Sequence, residues 1–248
     1  MFSSGKVVQL FYDVASPYSW LAFEVLCRYR NVWNIDLKFK PAFLPGVIYG
    51  SGNQPAVMNP SKLTYIVSDL TLLSEYFGVP MFRPSDLSEK DTLSAMRFVT
   101  ALAEKEKEGD MLVERVSREL WKRKWRTHQD ITQPASLTEA GLKAGLSANV
   151  VKEILSLSKS QPIKDKLKSV TQEALEYKGR SGWGLTLTSP QPICDHYPSI
   201  LSFNFLMFKF TLFSVQQQTY TQNKKRECQK ISQEYRNSLT NTCTNNKT

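Results

Sequence analysis

The stretch VVQLFYDVASPYSWLAFEVLCRYR, residues 7–30, decides the fold of this chain. Its first part, Val7–Val14, is an almost unbroken apolar and β-prone run, which predicts a parallel strand covered on both faces. Its second part begins with Ser16 as a helix N-cap and Pro17 in the first turn, where a missing N–H costs nothing. The sequence therefore predicts a strand, a turn and a helix, and the N–H groups of the helix start favour an anion at the turn.

The turn reads Ser16-Pro17-Tyr18-Ser19, at the place where thioredoxin-like proteins carry C-P-Y-C or a related motif. Hydroxyls replace both thiols, so this turn cannot cycle a disulfide, and Cys27 lies too deep in the helix to substitute. A serine at the N-cap can instead lower the pKa of a bound thiol, because the helix end and a hydrogen bond both favour the thiolate. The alternative is that Ser16 only caps the helix, which is the usual role of a serine before proline.

The turn is one of six motifs that together point to a known family. The motifs are Phe11-Tyr12-Asp13-Val14, Ser16-Pro17-Tyr18-Ser19-Trp20, Arg28-Tyr29, Ser51-Gly52-Asn53, Leu93-Ser94-Ala95-Met96-Arg97-Phe98 and Ser117-Arg118-Glu119-Leu120-Trp121. From about residue 6 to about residue 179, the chain resembles the kappa class of glutathione S-transferases, to which 2-hydroxychromene-2-carboxylate isomerases are related. The resemblance implies a thioredoxin-like α/β fold with an inserted all-helical domain.

The resemblance also implies a site and a reaction. Ser16 is the implied catalytic residue, and the implied glutathione contacts are Ser16, Pro17, Tyr18, Asn53 and Lys62. Glutathione is then the co-substrate, and its thiolate attacks a small electrophile in a detoxification reaction. Kappa transferases imply a homodimer and a mitochondrial or peroxisomal location. Two alternatives stay open, a glutathione-dependent isomerase of the 2-hydroxychromene-2-carboxylate type and a catalytically impaired splice-type product without an enzymatic role.

Composition sets broader limits on the chain. Its 248 residues are 41% apolar, which is ample for a globular core, and they carry a net charge of +9. The four cysteines show no paired spacing, which favours a reducing compartment. The first residues, MFSSGKVV, lack the features of a signal or transit peptide, so no targeting signal is visible. His128 has no partner at metal-ligand spacing, and we expect no metal site.

The rest of the chain is organised around that first unit. Ile35–Lys40 alternates apolar and polar residues, which predicts a second strand, and residues 44–60, with three Pro and three Gly, are predicted to form a functional loop. From Ser61 onwards the apolar spacing is helical. We therefore predict the N-terminal half of a thioredoxin-like domain over 1–60, a helical insertion over 61–160, a return helix and a degenerate C-terminal half over 161–215, and a disordered polar tail over 216–248.

A basic run between Arg115 and Arg126 also contains Trp121 and Trp125. On a helix these charges spread around the cylinder, and acidic residues such as Glu119 interrupt them. We therefore expect no nucleic-acid interface, and we interpret the two tryptophans, four residues apart, as a packing pair.

The resemblance ends near Gly179. Kappa transferases continue with a G-x-F-G-L-P run, whose cis proline opens a strand beside the active site, but Gly182–Thr186 reads GWGLT and a threonine replaces the proline. We therefore expect the C-terminal part of the sheet to be incomplete. Glutathione is expected to bind at least about tenfold to a hundredfold more weakly than to a chain with that run. The apolar run 200–215 is short for a membrane span, and we expect none.

Overall fold

The computed structural model describes residues 6–55, 58–82, 92–106, 111–177 and 186–188, which all belong to one compact unit, Met1–Pro190. At the centre of the sheet lies strand β1 (Lys6–Tyr12), which pairs in parallel with β2 (Ile35–Pro41) and antiparallel with β3 (Thr186–Thr188). Helix α1 (Pro17–Tyr29) joins the two parallel strands, as such a crossover requires. The βαβ unit predicted from the sequence is therefore confirmed.

Helices make up most of the remaining described chain. They are α2 (Leu44–Gly50), α3 (Pro60–Phe77), α4 (Leu93–Lys105), α5 (Met111–Lys122), a π-helix (Arg123–Thr127), α6 (Pro134–Lys143), α7 (Ala148–Leu157) and α8 (Gln161–Glu176). A proline lies in the first turn of α1, α2, α3, α6 and α8, where its missing N–H is harmless. The predicted helical character after Ser61 is confirmed, with boundaries that move by a few residues.

One hydrophobic core joins the sheet to the inserted helices. Tyr12 of β1, Phe23 of α1 and Trp121 of α5 are fully buried against one another, with ring centroids 4.8 to 6.2 Å apart. The Tyr12 hydroxyl also lies 2.6 Å from Oγ of Ser117 on α5, at hydrogen-bonding distance. Helix α5 therefore packs directly against the end of β1, where the serine turn begins.

Helix α2 corrects the prediction of a loop over residues 44–60. Its two glycines weaken the helical signal of the sequence, because glycine is a poor helix former. Gly46 and Gly50 instead serve close packing on α8, since an added Cβ would come within 2.9 Å of Thr171 at the first position and 2.6 Å of Leu175 at the second. After Lys122, at the end of α5, the chain continues as a π-helix over Arg123–Thr127.

Strand β3 lies at the edge of β1, in the part of the sheet that we expect to be incomplete. It pairs residues Thr186–Thr188 with Gln9–Phe11, but it has three residues against seven in β1. Among the residues that the structure describes, three therefore pair with β1 on this side. The predictions for the apolar run 200–215 and for the polar tail 216–248 lie outside the described residues. Within the described ranges, no helix has the length and apolar character needed to cross a bilayer.

Candidate functional site

Ser16 lies at the start of α1 and is completely buried. Its Oγ accepts a hydrogen bond of 3.1 Å from the Ser19 N–H, and its own N–H donates to the carbonyl oxygen of Asp13 at 3.0 Å. The predicted N-cap is therefore confirmed, with Pro17 as the first helical residue. No acidic residue lies in the first turn of α1, whose N–H groups therefore favour an anion, although the carboxylate of Asp13 accepts from the Ala15 N–H just before the helix.

Two buried indoles hold the turn from the side of the inserted helices. Nε1 of Trp121 donates to the carbonyl oxygen of Ser16 at 3.2 Å, and Nε1 of Trp125 donates to that of Val14 at 3.1 Å. Both side chains are buried in the core, as expected of residues that serve packing. Trp125 belongs to the π-helix, a feature that is frequent at functional sites. Contacts from distant residues thus fix the backbone of the turn.

Asp13 precedes the turn and is almost completely buried, at 3% exposure. Its carboxylate accepts hydrogen bonds from the Ala15 N–H (2.8 Å), the Leu44 N–H (2.8 Å) and the Thr92 hydroxyl (3.2 Å). Burial raises the pKa of Asp13 to about 6, against the opposing effect of these three donors and of the positive charge of Lys124. One acid therefore contacts the turn, the start of α2 and the residue that precedes α4.

Tyr18 connects α1 to α3. Its hydroxyl donates to Oδ2 of the buried Asp69 at a distance of 2.5 Å. Burial and, to a smaller extent, the hydrogen bond to Asp69 raise the pKa of Tyr18 far above its usual range. The phenol therefore stays protonated at physiological pH and remains a donor to Asp69.

The two other predicted glutathione contacts lie on the elements that follow in the chain. Asn53 is half-buried just beyond α2, where its N–H donates to the carbonyl oxygen of Ile48 at 3.0 Å and its Oδ1 accepts from the Gln54 N–H at 2.9 Å. Lys62 is exposed in the first turn of α3, and its N–H donates to Oδ1 of the N-cap Asn59 at 3.2 Å. The structure thus gathers Ser16 with its two neighbours at the start of α1 and places these two residues on separate elements.

Cys27 of α1 and the candidate metal-ligating side chains are the described residues that bear on thiol and metal chemistry. Burial raises the pKa of the Cys27 thiol to about 12, which agrees with the inference that Cys27 cannot replace the missing cysteines of the turn. In the part of the chain that the structure describes, no group of three or more His, Cys, Asp and Glu side chains is arranged to hold a metal ion.

Two arginines of the basic run form ion pairs within the protein, Arg118 with Glu24 and Arg123 with Glu139.

The sequence reasoning missed Asp13 and Asp69 as parts of the site. Each carried a signal, because Asp13 follows an apolar strand and Asp69 shares the buried side of α3 with Ile66. A carboxylate among apolar residues needs hydrogen-bonding partners. The sequence does not reveal which partners these are, because they come from elements that are remote along the chain.

Comparison with known proteins tests the resemblance seen in the motifs. The DSBA-like thioredoxin domain family matches residues 7–179. Glutathione S-transferase kappa 1 of Homo sapiens is 42% identical over 187 residues, which cover 74% of this chain and 80% of that protein. Glutathione S-transferase kappa 1 of Rattus norvegicus is 44% identical over 176 residues, which cover 69% of this chain and 76% of that protein. The resemblance is therefore confirmed.

A solved structure adds independent evidence for the fold. The structure of 2-hydroxychromene-2-carboxylate isomerase matches with a TM-score of 0.61 at 16% identity, and the match covers 87% of this chain and 98% of that one. At this identity the likeness shows a shared fold, and it agrees with the predicted thioredoxin-like sheet and inserted helices. The chain belongs to the kappa family of glutathione S-transferases, a family of enzymes built on a DSBA-like thioredoxin domain.

Proposed function

We propose that the chain is a glutathione transferase in which the Ser16 hydroxyl stabilises the thiolate of bound glutathione. The observation that carries the proposal is the position of Ser16 at the N-terminus of α1, in a chain that is 42% identical to human glutathione S-transferase kappa 1. A serine hydroxyl both accepts and donates hydrogen bonds, so the Ser16 hydroxyl, which accepts from the Ser19 N–H, would donate its proton to the thiolate once glutathione is bound. The helix end and this hydrogen bond together favour the charged form of the thiol.

In the proposed reaction, the thiolate attacks an electrophilic carbon of a small substrate. A carbon–sulfur bond forms, and the leaving group departs with the electron pair of the bond that breaks. Because Ser16 is completely buried, a thiol reaches its hydroxyl only after neighbouring groups move aside. Asn53 and Lys62 then bind polar groups of glutathione, and the exposed ammonium of Lys62 suits a carboxylate of the peptide.

Replacement of Ser16 by alanine tests the proposed role. A hydrogen bond to a charged group contributes about 1.5 to 3 kcal/mol, so Ser16→Ala is expected to lower kcat/KM for an aryl halide and glutathione by about ten- to a hundredfold. Ser19→Ala is the matched control, because Ser19 is a buried serine in the same first turn, and it should keep most of the activity. Equal turnover by Ser16→Ala and the wild type would refute the mechanism.

Two other functions share parts of this evidence. A glutathione-dependent isomerase of the 2-hydroxychromene-2-carboxylate type would use the same serine turn, and turnover assays with each substrate class separate it from a transferase. A product without an enzymatic role, suggested by the divergent sequence after Gly179, would be folded but would show neither turnover nor stabilisation against heat by glutathione. A thermal shift with glutathione therefore distinguishes it from both enzymes.

We further propose, by analogy with the family, that the protein is a homodimer that acts in detoxification in mitochondria or peroxisomes. Light scattering coupled to size-exclusion chromatography would test the dimer, and a mass of 28.3 kDa for the particle would contradict it. Fractionation of cells that produce the tagged chain would test the location.

A further inference from the structure

Asp13 contacts two elements that lead to different parts of the proposed glutathione site. The first is the serine turn, where Oδ1 of Asp13 accepts from the Ala15 N–H at 2.8 Å and its carbonyl oxygen accepts from the Ser16 N–H at 3.0 Å. Both bonds fold the chain sharply between β1 and α1. The carboxylate of Asp13 thus holds the turn through Ala15, next to Ser16, and the main chain of Asp13 binds Ser16 itself.

The second element is α2, which leads to Asn53. Its N-cap residue, Phe43, has no side-chain oxygen, and Oδ2 of Asp13 accepts the N–H of the first helical residue, Leu44, at 2.8 Å. At the other end of α2, the Asn53 N–H donates to the carbonyl oxygen of Ile48 at 3.0 Å. Since α2 is only seven residues long, a shift at its start would also move Asn53 at its other end.

Donors from several elements surround the Asp13 carboxylate at this junction and oppose part of the effect of its burial. Thr92, the N-cap of α4, donates its hydroxyl to Oδ2 of Asp13 and makes no side-chain bond to its own helix. The first turns of α1, α2 and α4 contain no acidic residue, and Lys124 on the π-helix contributes a positive charge. The carboxylate is thus held by donors from several elements, in a place where a neutral side chain would bind fewer of them.

We propose that Asp13 is a positioning residue of the glutathione site, whose buried carboxylate fixes Ser16 and Asn53 relative to each other by binding the serine turn and the start of α2 at the same time. This inference rests on the proposed function. It assigns Asp13 no contact with glutathione, and its effect passes through the two residues that it positions.

The test compares Asp13→Asn with the wild type in steady-state kinetics. Asp13→Asn should raise KM for glutathione by about tenfold, as expected for the loss of one charge-assisted hydrogen bond, with a smaller effect on kcat. Asn53→Ala should raise KM as well. The double variant should raise KM by less than the product of the two single effects, because Asp13 acts through Asn53. Effects that multiply fully would overturn the proposal.

Asp130→Asn is the matched control. Asp130 also accepts hydrogen bonds at a helix start, from Thr132 and Gln133 before α6, but its partners all lie near it in the sequence. The Asp130→Asn variant should leave KM for glutathione unchanged. If Asp13→Asn does not fold, Thr92→Val removes one donor to the same carboxylate and should raise KM in the same direction, by about threefold.

Hydrogen exchange gives a readout that does not depend on activity. Amides of residues 13–20 and 44–53 should exchange faster in Asp13→Asn, whereas Asp130→Asn should accelerate exchange only around α6. Unchanged exchange over residues 44–53 would overturn the proposal even if KM rose. If the wild type showed no turnover with glutathione, the proposed function would fail, and the exchange measurement alone would decide whether Asp13 holds α2 and the turn together.

Discussion

Asp13→Asn is expected to change how the stability of the protein depends on pH. The carboxyl of Asp13 has a pKa of about 6 in the folded protein, where burial raises it, against an ordinary value of 3.8. The folded state therefore binds the proton more tightly than the unfolded state does. The resulting stabilisation is fully present below pH 3.8 and is lost as the pH rises through about 6.

The magnitude follows from the difference between the two pKa values. A gap of about two pH units corresponds to about 3 kcal/mol at complete protonation, of which about 2 kcal/mol develops between pH 8 and pH 4. The asparagine variant cannot titrate at this position. On acidification from pH 8 to pH 4, the wild type should therefore gain about 2 kcal/mol in its free energy of unfolding relative to Asp13→Asn.

Urea denaturation followed by circular dichroism at several pH values measures this difference. Asp130 supplies a control of opposite sign. Burial acts to raise the pKa of Asp130, but hydrogen bonds from Gln133, Thr132 and Ser136 outweigh the effect of burial and lower this pKa to about 2. The stabilisation from Asp130 is present above pH 3.8 and is lost as the pH falls towards about 2. A wild type that loses stability relative to Asp13→Asn on acidification would refute the reasoning, because the three donors would then outweigh the burial of the charge.

Three further predictions concern the contacts around the turn and the C-terminus. Tyr18→Phe removes the donor to the buried Asp69 and should lower the free energy of unfolding by about 1 to 3 kcal/mol in urea denaturation; an unchanged value would mean that solvent replaces the phenol. Trp121→Phe keeps an aromatic ring in the core but removes the donor to the Ser16 carbonyl. It should lower the free energy of unfolding by about 1 to 3 kcal/mol in the same assay, and an unchanged value would contradict the role of the indole. A chain that carries a G-x-F-G-L-P ending after Gly179 should bind glutathione at least about tenfold more tightly than this chain in calorimetry, and comparable affinities would show that the divergent ending is harmless.

The sequence by itself determined the local structure around the turn. Val7–Val14 predicted the central strand, Ser16 and Pro17 predicted the helix start, and the helical spacing after Ser61 predicted the insertion. These features depend on residues that are neighbours along the chain, so that propensity, capping and periodicity are sufficient to identify them. Local patterns failed at α2, where Gly46 and Gly50 reduce helical propensity but permit close packing on α8.

Only the tertiary structure decided how the turn is held. Asp13 bonds to Leu44, 31 positions away, and the indole of Trp125 bonds to Val14, 111 positions away. Spacing along the sequence predicted that Trp121 and Trp125 are buried, but it contained no information about the carbonyl groups that their N–H donors contact. The raised pKa of Asp13 likewise arises from burial by several elements at once. Hydrogen-bond partners and desolvation depend on which surfaces meet in the folded chain, and that is determined by the packing of the whole core.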